Sequence, residues 1–483
     1  MSIMVKLKGL FGAQTPSLTQ GPIVRRILSF AMPLFLGQLL QQLYNLADAW
    51  VLGNFAPEEA FAAVSSGGSL TFLVTGFFNG VAIGGSVIIS RYFGARDEEN
   101  VTRSIHNNFL FGILISVLST AAGLLLAPRL LGLMNTPEEV LPYSLTYFQL
   151  YFAGVATVIL YNMCMAIMRS LGDSLHPLYY LAVSSLLNVA LDLLFVAVLP
   201  PEALTGLVAA DIPPELRLGA AKVAGAAIAT VLTQGVSVVL CLLRMCRVPD
   251  YTRLDVRKLH LHRDIMPQVI RQGLPTGVQN AVISIGNLVV QSNINAFGEH
   301  AMSGQGAYAR IEGVVFLPIM SISMALTTFI SQNLGAREYD RAKKGAVFGI
   351  LSGMALAELV GLVLLIAAPA ALRVFVDHPD SLAFGATHVR VAAPFYFLLA
   401  FSHCAAGVMR GCGKAIVPMV SMLSFWCVVR VIYVTLALKL FPVYAMIPWA
   451  YPITWSLSSV VFLLFLLKSD WLHAFDFENE VHS

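Results

Sequence analysis

Charged side chains are scarce in this chain. Asp, Glu, Lys and Arg make up 12% of its 483 residues, against 57% hydrophobic, where soluble domains carry about 25% charge. That shortage excludes an ordinary soluble globular protein. Cysteine is also sparse: six residues without metal-ligand spacing, of which Cys241 and Cys246 stand four residues apart. This favours reduced, packing thiols over a metal centre. No His-Glu-x-x-His string and no nucleophile–base pair occurs, which argues against an intramembrane enzyme. Met1 to Gln20 has no short apolar core followed by small residues, so no cleaved leader is expected. Ten-residue alternating segments, the mark of a membrane β-barrel, are missing too.

Long apolar runs are what the chain has instead. About twelve recur, near 27–53, 61–89, 105–127, 141–168, 176–199, 219–243, 268–297, 303–331, 345–367, 388–409, 415–438 and 445–467. The expected fold class is therefore an all-α polytopic membrane protein with twelve transmembrane helices. Odd-numbered connections are poor in bases: Pro57-Glu58-Glu59, Asn135 to Glu139, and Phe297 to Ala301. Even-numbered ones carry Arg91, Arg96 and Arg103, then Arg169, then Arg337, Arg341, Lys343 and Lys344. About 22 of the 30 Lys and Arg share the side of Lys6, Lys8, Arg25 and Arg26, which predicts cytoplasmic termini and a plasma (inner) membrane location. The net charge of +3 reflects this asymmetry and gives no reason to expect nucleic acid as a partner.

The chain is also written twice. Ile89-Ser90-Arg91-Tyr92-Phe93-Gly94-Ala95-Arg96 returns as Ile330-Ser331-Gln332-Asn333-Leu334-Gly335-Ala336-Arg337. Met168-Arg169-Ser170-Leu171-Gly172, with Pro177, returns as Met409-Arg410-Gly411-Cys412-Gly413 and Pro418, about 241 positions later in each case. Six crossings per copy return the chain to its starting side. Two six-helix lobes related by a pseudo-two-fold axis along the membrane normal are expected, with a substrate cavity near the midplane. The expected boundaries are a cytoplasmic tail at 1–24, an N-lobe at 25–243, a basic cytoplasmic linker at 244–267, a C-lobe at 268–467 and a cytoplasmic tail at 468–483. Within the linker, His260 and His262 read as a solvated pair. Pro200 to Gly219, with Pro200-Pro201 and Pro213-Pro214, reads as an irregular outside loop.

The copies differ where chemistry is expected. Asp48 falls opposite Val289 or Val290, and Asp192 opposite Tyr433. At 100° per residue Gln41, Tyr44, Asn45 and Asp48 share one face of span one, which should turn away from lipid. Asn188 and Asp192 share a face of span five, with Ser185 one turn earlier, and Thr230 of span six supplies a hydroxyl among small residues. Two carboxylates brought together in low dielectric cannot both stay ionised, which would make the pair a proton carrier. The same oxygens could hold Na⁺, at Asp48, Asn188 and Asp192. Span seven has no acid but carries Asn280, Ser284, Asn287, Gln291 and Asn295 at helical spacing, a stripe expected to line water or substrate. Met320 and its neighbours offer adaptable apolar contacts. Arg310 and Glu312 are read as opening span eight. Arg430 in span eleven should meet either a carboxylate across the lobe interface or nearby backbone carbonyls.

These residues resemble those of the multidrug and toxic compound extrusion (MATE) transporters, in the branch similar to DinF- and MepA-type proteins. The resemblance covers nearly all of 20–467. It rests on Asp48-x-x-x-x-Gly53, the repeated Gly-Ala-Arg turns, Met-Arg-x-x-Gly after spans four and ten, and Asn188-x-x-x-Asp192. It implies cation-coupled export of organic, often cationic, compounds by rocker-switch alternating access. Asp48, Asn188, Asp192 and Thr230 match the family's N-lobe coupling cluster. The NorM-type branch instead uses acids in spans seven and ten, which this chain lacks. The expectation is a monomeric antiporter needing no cofactor beyond H⁺ or Na⁺, with small organic substrates and membrane lipids as partners. A lipid-linked saccharide flippase of the same broad superfamily is the main alternative. Such a protein would hold its anionic cargo with basic residues, and here Arg430 stands almost alone.

Overall fold

The computed structural model describes residues 17–133, 140–208 and 212–476. The loop around Asn135, residues 1–16 of the first expected tail and residues 477–483 of the last lie outside them. Every regular element among the described residues is helical, with no strand. Lipid offers backbone N–H and C=O groups no partner, so an apolar run must satisfy them within itself. The helices are α1 (Ile23–Phe55), α2 (Glu58–Ala95), α3 (Glu98–Leu133), α4 (Leu141–Ser170), α5 (Leu175–Asp192), α6 (Pro214–Arg247) and α7 (Met266–Asn295). They are followed by α8 (Glu299–Gly335), α9 (Tyr339–Arg373), α10 (Pro379–Ala392), α11 (Tyr396–Gly411), α12 (Ile416–Met422), α13 (Arg430–Leu440) and α14 (Met446–Lys468).

Eleven helical spans among the described residues are long and apolar enough to cross a bilayer. One of them joins α10 to α11, and another joins α12 to α13. The twelfth expected crossing is α7, whose 30 residues reach about 45 Å. Its polar stripe lowers its hydropathy below that of the others. Two spans contain wider turns: Leu193–Val198, starting just after Asp192, and Leu423–Val429, ending just before Arg430, are π-helical. The expected irregular loop is only partly irregular. Pro201–Leu207 forms a 3₁₀ turn and α6 already starts at Pro214, where a missing N–H costs a helix nothing.

The described chain forms two compact units that cut across the sequence halves. One contains 36–82 and 98–267; the other contains 17–35, 83–97 and 268–476. Close backbone contacts explain why 83–97 goes with the second. A Cβ on Gly84 would lie 2.1 Å from the Gly273 Cα, and one on Gly94 would lie 1.9 Å from the Gln332 carbonyl oxygen. The start of α1 joins the same unit through Ile27, Phe30, Ala31 and Leu34, which pack with Leu326, Phe329 and Ile330. The basic stretch after α6 stays with the first unit. There Thr102 Oγ1 donates to the Tyr251 carbonyl at 2.6 Å, and the Asp255 N–H donates to His106 Nε2 at 3.1 Å.

The first unit is built on α4. Tyr143, Tyr147, Phe148, Tyr151 and Phe152 form its buried aromatic face, packed with Ala220, Ala221 and Ala227 of α6. Small residues on α6 let the two backbones approach without polar contacts. The second unit holds apolar clusters around Phe329 and Leu326, around Tyr396, Trp426, Trp455 and Phe462, and around Val290, Ile294, Val434 and Ile447.

The repeated turns match bond for bond. Gly172 N–H donates to the Arg169 carbonyl and Asp173 N–H to Met168; in the second copy Gly413 donates to Arg410 and Lys414 to Met409. Gly172 and Gly413 both take positive φ, +91° and +78°, the left-handed C-terminal cap that glycine adopts most easily. At the other pair the left-handed residue is arginine, Arg96 (φ 56°) and Arg337 (φ 59°).

Candidate functional site

Asp48, Asn188, Asp192 and Thr230 come together within the first unit. Asp48 lies on α1, Asn188 and Asp192 on α5, and Thr230 on α6. Tyr44, one turn before Asp48, reaches Thr230, its hydroxyl 3.3 Å from Oγ1. The Asp48 and Asp192 carboxyl groups are neighbours, with the Tyr44 and Tyr147 rings within their field. Asn188 and Asp192 are 1% and 0% exposed. Tyr44, Ser184, Ser185, Asn188, Thr233 and Gln234 line an adjoining crevice of about 180 Å³ empty volume.

The chemistry of this cluster follows from what its oxygens lack. Asp48 Oδ1, both Asp192 oxygens, and both polar atoms of the Asn188 amide are buried without a hydrogen-bond partner. Native structures rarely leave such groups unmatched, because each costs about 1–3 kcal/mol. Four of the five are acceptor oxygens. A proton shared between the carboxylates, or a hard cation held by oxygen ligands, is the species that satisfies them.

Two members of the surroundings escaped the sequence reading. Tyr147 and Tyr151 of α4 stack at 6.0 Å with an interplanar angle of 14°, and Tyr147 faces both acids. The signal was present as Tyr143-x-x-x-Tyr147-x-x-x-Tyr151, one face of a helix. The rest of the expected α1 stripe is less engaged: Asn45 is exposed and Gln41 half-buried.

The expected cavity residues of the second unit serve several different purposes. Ser284 Oγ donates to the Asn280 carbonyl at 3.0 Å, and Gln291 Nε2 donates to Asn295 Oδ1 at 2.9 Å. Asn287 Oδ1 accepts from Arg430 Nη1 at 3.3 Å, and Met320 is half-buried on α8. Arg430 is 2% exposed and donates also to Thr454 Oγ1 at 3.1 Å, with its guanidinium 4.5 Å from the Tyr451 ring centroid. Its partners are thus side chains of its own unit, neither a carboxylate of the other lobe nor backbone carbonyls. An aromatic face and two hydroxyl or amide acceptors can hold a guanidinium without a contact ion pair. Glu312 is likewise not at a helix opening. It lies thirteen residues after Glu299, the start of α8, and accepts from Tyr308 Oη at 2.9 Å. Tyr308 also meets Tyr396 Oη at 3.2 Å and stacks on His388 at 4.0 Å. Of the histidine pair in the basic stretch, His260 is exposed as expected, whereas His262 is engaged. His262 Nδ1 accepts from Arg103 Nε at 3.3 Å and its backbone N–H donates to Asn107 Oδ1 at 2.9 Å.

Comparison with known proteins identifies relatives along most of the chain. The chain is 28% identical over 419 residues to the probable multidrug resistance protein YpnP of Bacillus subtilis, covering 84% of this chain and 87% of the relative. It is 24% identical over 336 residues to the FAD transporter of Shewanella oneidensis, covering 69% and 70%. A solved MOP superfamily transporter from Pyrococcus furiosus superposes with a TM-score of 0.82 at 21% identity, covering 94% of this chain and 97% of that one. The MatE family model matches residues 33–194 and 275–436, two blocks of equal length that follow the internal repeat. The chain belongs to the MatE family and is a multi-pass membrane transporter rather than an enzyme.

Proposed function

We propose that this protein is a cation-coupled antiporter that exports small organic compounds by rocker-switch alternating access, with Asp48 and Asp192 carrying the coupling proton. The observation that carries this reading is the set of buried acceptor oxygens on Asp48, Asn188 and Asp192 that no donor satisfies. A site that takes up and releases a proton must be under-satisfied in one of its states. The Tyr44–Thr230 contact holds α1 against α6 one turn before Asp48. Proton uptake on the outward-facing side would favour release of cargo, and discharge inside would reset the site. A potential of 100 mV contributes about 2.3 kcal/mol per charge moved, enough for one or two protons to sustain useful accumulation. The first half, 25–243, is read as the coupling lobe and 268–467 as the more neutral one. The protein is placed as a monomer in the plasma membrane with both termini inside, following its basic loops.

Drug-like cargo is supported by relatives such as the probable multidrug resistance protein YpnP. A flavin nucleotide is the competing cargo, since another relative is an FAD transporter. A lipid-linked diphosphate is disfavoured, because the guanidinium of Arg430 is already engaged by Asn287, Thr454 and Tyr451. Purified protein in liposomes distinguishes these readings. Efflux of a fluorescent organic cation and of FAD is measured while ΔpH and the Na⁺ gradient are set independently. Organic-cation flux that follows ΔpH and is lost in Asp48→Asn supports the proposal. Full flux in that variant sinks the coupling assignment, and flux that follows Na⁺ alone transfers coupling to sodium.

A further inference from the structure

We propose that His300, His378 and Asp380 form a binding site for a borderline transition-metal ion such as Zn²⁺, joining the start of α8 to the start of α10. One ligand atom from each of the three residues lies within 4.8 Å of the other two. Nothing in the coupling cluster involves them. Both turns belong to connections expected to face outside.

The backbone explains why these residues meet. Gly304 follows His300 by one helical turn, and there α8 touches α10 backbone to backbone. A Cβ on Gly304 would lie 2.3 Å from the Ser381 carbonyl oxygen and 2.9 Å from Gly385 N. A Cβ on Gly385 would in turn lie 3.0 Å from the Gly304 carbonyl oxygen. This crossing carries His300 onto His378, their rings stacked at 3.9 Å and 12°. The site therefore stands on a rigid contact between two helices, although its ligands are at the surface.

The hydrogen bonds fix which nitrogens carry the lone pairs. Ser381 Oγ lies 3.4 Å from His300 Nδ1 and can accept its proton, which leaves the lone pair on Nε2. His378 Nδ1 accepts the Asp380 backbone N–H at 3.3 Å and lies 3.9 Å from Asp380 Oδ2, so its lone pair is on Nδ1 and a metal there replaces that long hydrogen bond. Glu299 Oε1, 3.9 Å from His300 Nε2, offers a second carboxylate. Two imidazoles with carboxylate oxygen suit Zn²⁺ and its neighbours, whereas Mg²⁺ and Ca²⁺ take oxygen ligands. Two helix N-termini would by themselves repel a cation, and the first-turn acids Glu299 and Asp380 offset that field. A metal must lie in the plane of each ring, so binding requires the parallel stack to splay. The side chains of His378 and Asp380 are 53% and 69% exposed, so this movement disturbs water rather than packing.

The test is calorimetric titration of the purified, chelator-treated full chain in detergent with ZnCl₂ and, separately, MgCl₂. Saturable binding of one Zn²⁺ and none of Mg²⁺ is expected. His378→Asn, which keeps a side-chain acceptor at the N-cap of α10, should weaken Zn²⁺ binding at least about tenfold. The His300→Asn/His378→Asn pair should abolish it, and His260→Asn/His262→Asn should leave it intact. No saturable Zn²⁺ binding overturns the proposal. So does binding that survives in the His300/His378 pair and disappears in the His260/His262 pair.

Discussion

Gly94 and Gly335 each occupy a place where no side chain fits, and each presses on the residue three positions before the other. A Cβ on Gly94 would lie 1.9 Å from the Gln332 carbonyl oxygen, and one on Gly335 would lie 2.0 Å from that of Arg91. Gln332 occupies in the second copy the position Arg91 holds in the first. The contact is therefore isologous, the pattern a local two-fold produces. Gly94→Ala and Gly335→Ala should each destabilise the protein by about 1–3 kcal/mol through overpacking against backbone. Gly306→Ala, where nothing lies within 4 Å, should leave the thermal unfolding midpoint in detergent unchanged. Equal midpoints for all three would contradict this account.

The arginines that end the same turns sit in the left-handed region, at φ 56° and 59°, and both are exposed. An L-residue there pays roughly 1–2 kcal/mol that glycine avoids. Arg96→Gly and Arg337→Gly should thus raise the unfolding midpoint or leave it level, once glycine's extra unfolded-state freedom is counted. A clear fall in midpoint would show that the side chains contribute contacts of their own.

Asp192 separates stability from function. Its two oxygens are buried without donors, so the carboxylate is a cost to the fold, which the proposed coupling role would account for. Asp192→Asn should keep or raise the unfolding midpoint while removing ΔpH-driven flux in liposomes. A variant that melts early would show that the carboxylate is mainly structural.

Arg430 should behave in the opposite way. Its fork spans Asn287 and Thr454 while its plane faces Tyr451, a geometry that a lysine ammonium cannot reproduce. Arg430→Lys is expected to cost on the order of 1.5–3 kcal/mol, the range for hydrogen bonds to a charged group. Thermal unfolding reads this directly, and a loss under 0.5 kcal/mol would mean that water replaces the lost bonds.

The basic stretch after α6 should loosen in acid. Burial, with the Arg103 and His260 charges, holds the His262 imidazole below its ordinary pKa, against the pull of Asp264. The folded form therefore prefers neutral His262. Its contribution is present above the ordinary histidine range and is lost as pH falls through it. Hydrogen exchange of residues 250–266 should speed up between about pH 7 and pH 5, and His262→Gln should flatten that dependence. Identical profiles in both proteins would remove His262 as the cause.

Much of this was legible in the sequence. Apolar runs marked the spans, and α7 escaped a hydropathy criterion because of the polar stripe already visible at Asn280 through Asn295. The acids gathered as their helical spacing suggested, since Asn188 and Asp192 differ by one turn. Tyr147 went unread because an aromatic ladder in a span looks like packing until its hydroxyls are seen beside carboxylates. The partners of Arg430 could not be read, because Asn287 is 143 positions away and nothing local links them. Glu312 was misplaced because helix starts are weak signals, and α8 begins further upstream than its apolar run.

Local physics therefore decided the helical class, the number of crossings and the doubled turns. Hydropathy and the left-handed cap at Gly172 and Gly413 act over a few residues and are written in order. Tertiary structure decided where the units divide, since glycine contacts bind 83–97 to residues 189 and 238 positions onward, Gly84 to Gly273 and Gly94 to Gln332. It also decided which polar groups are satisfied. Arg430 finds acceptors and Asp192 finds no donor, because a buried group's partners depend on which distant helices pack around it.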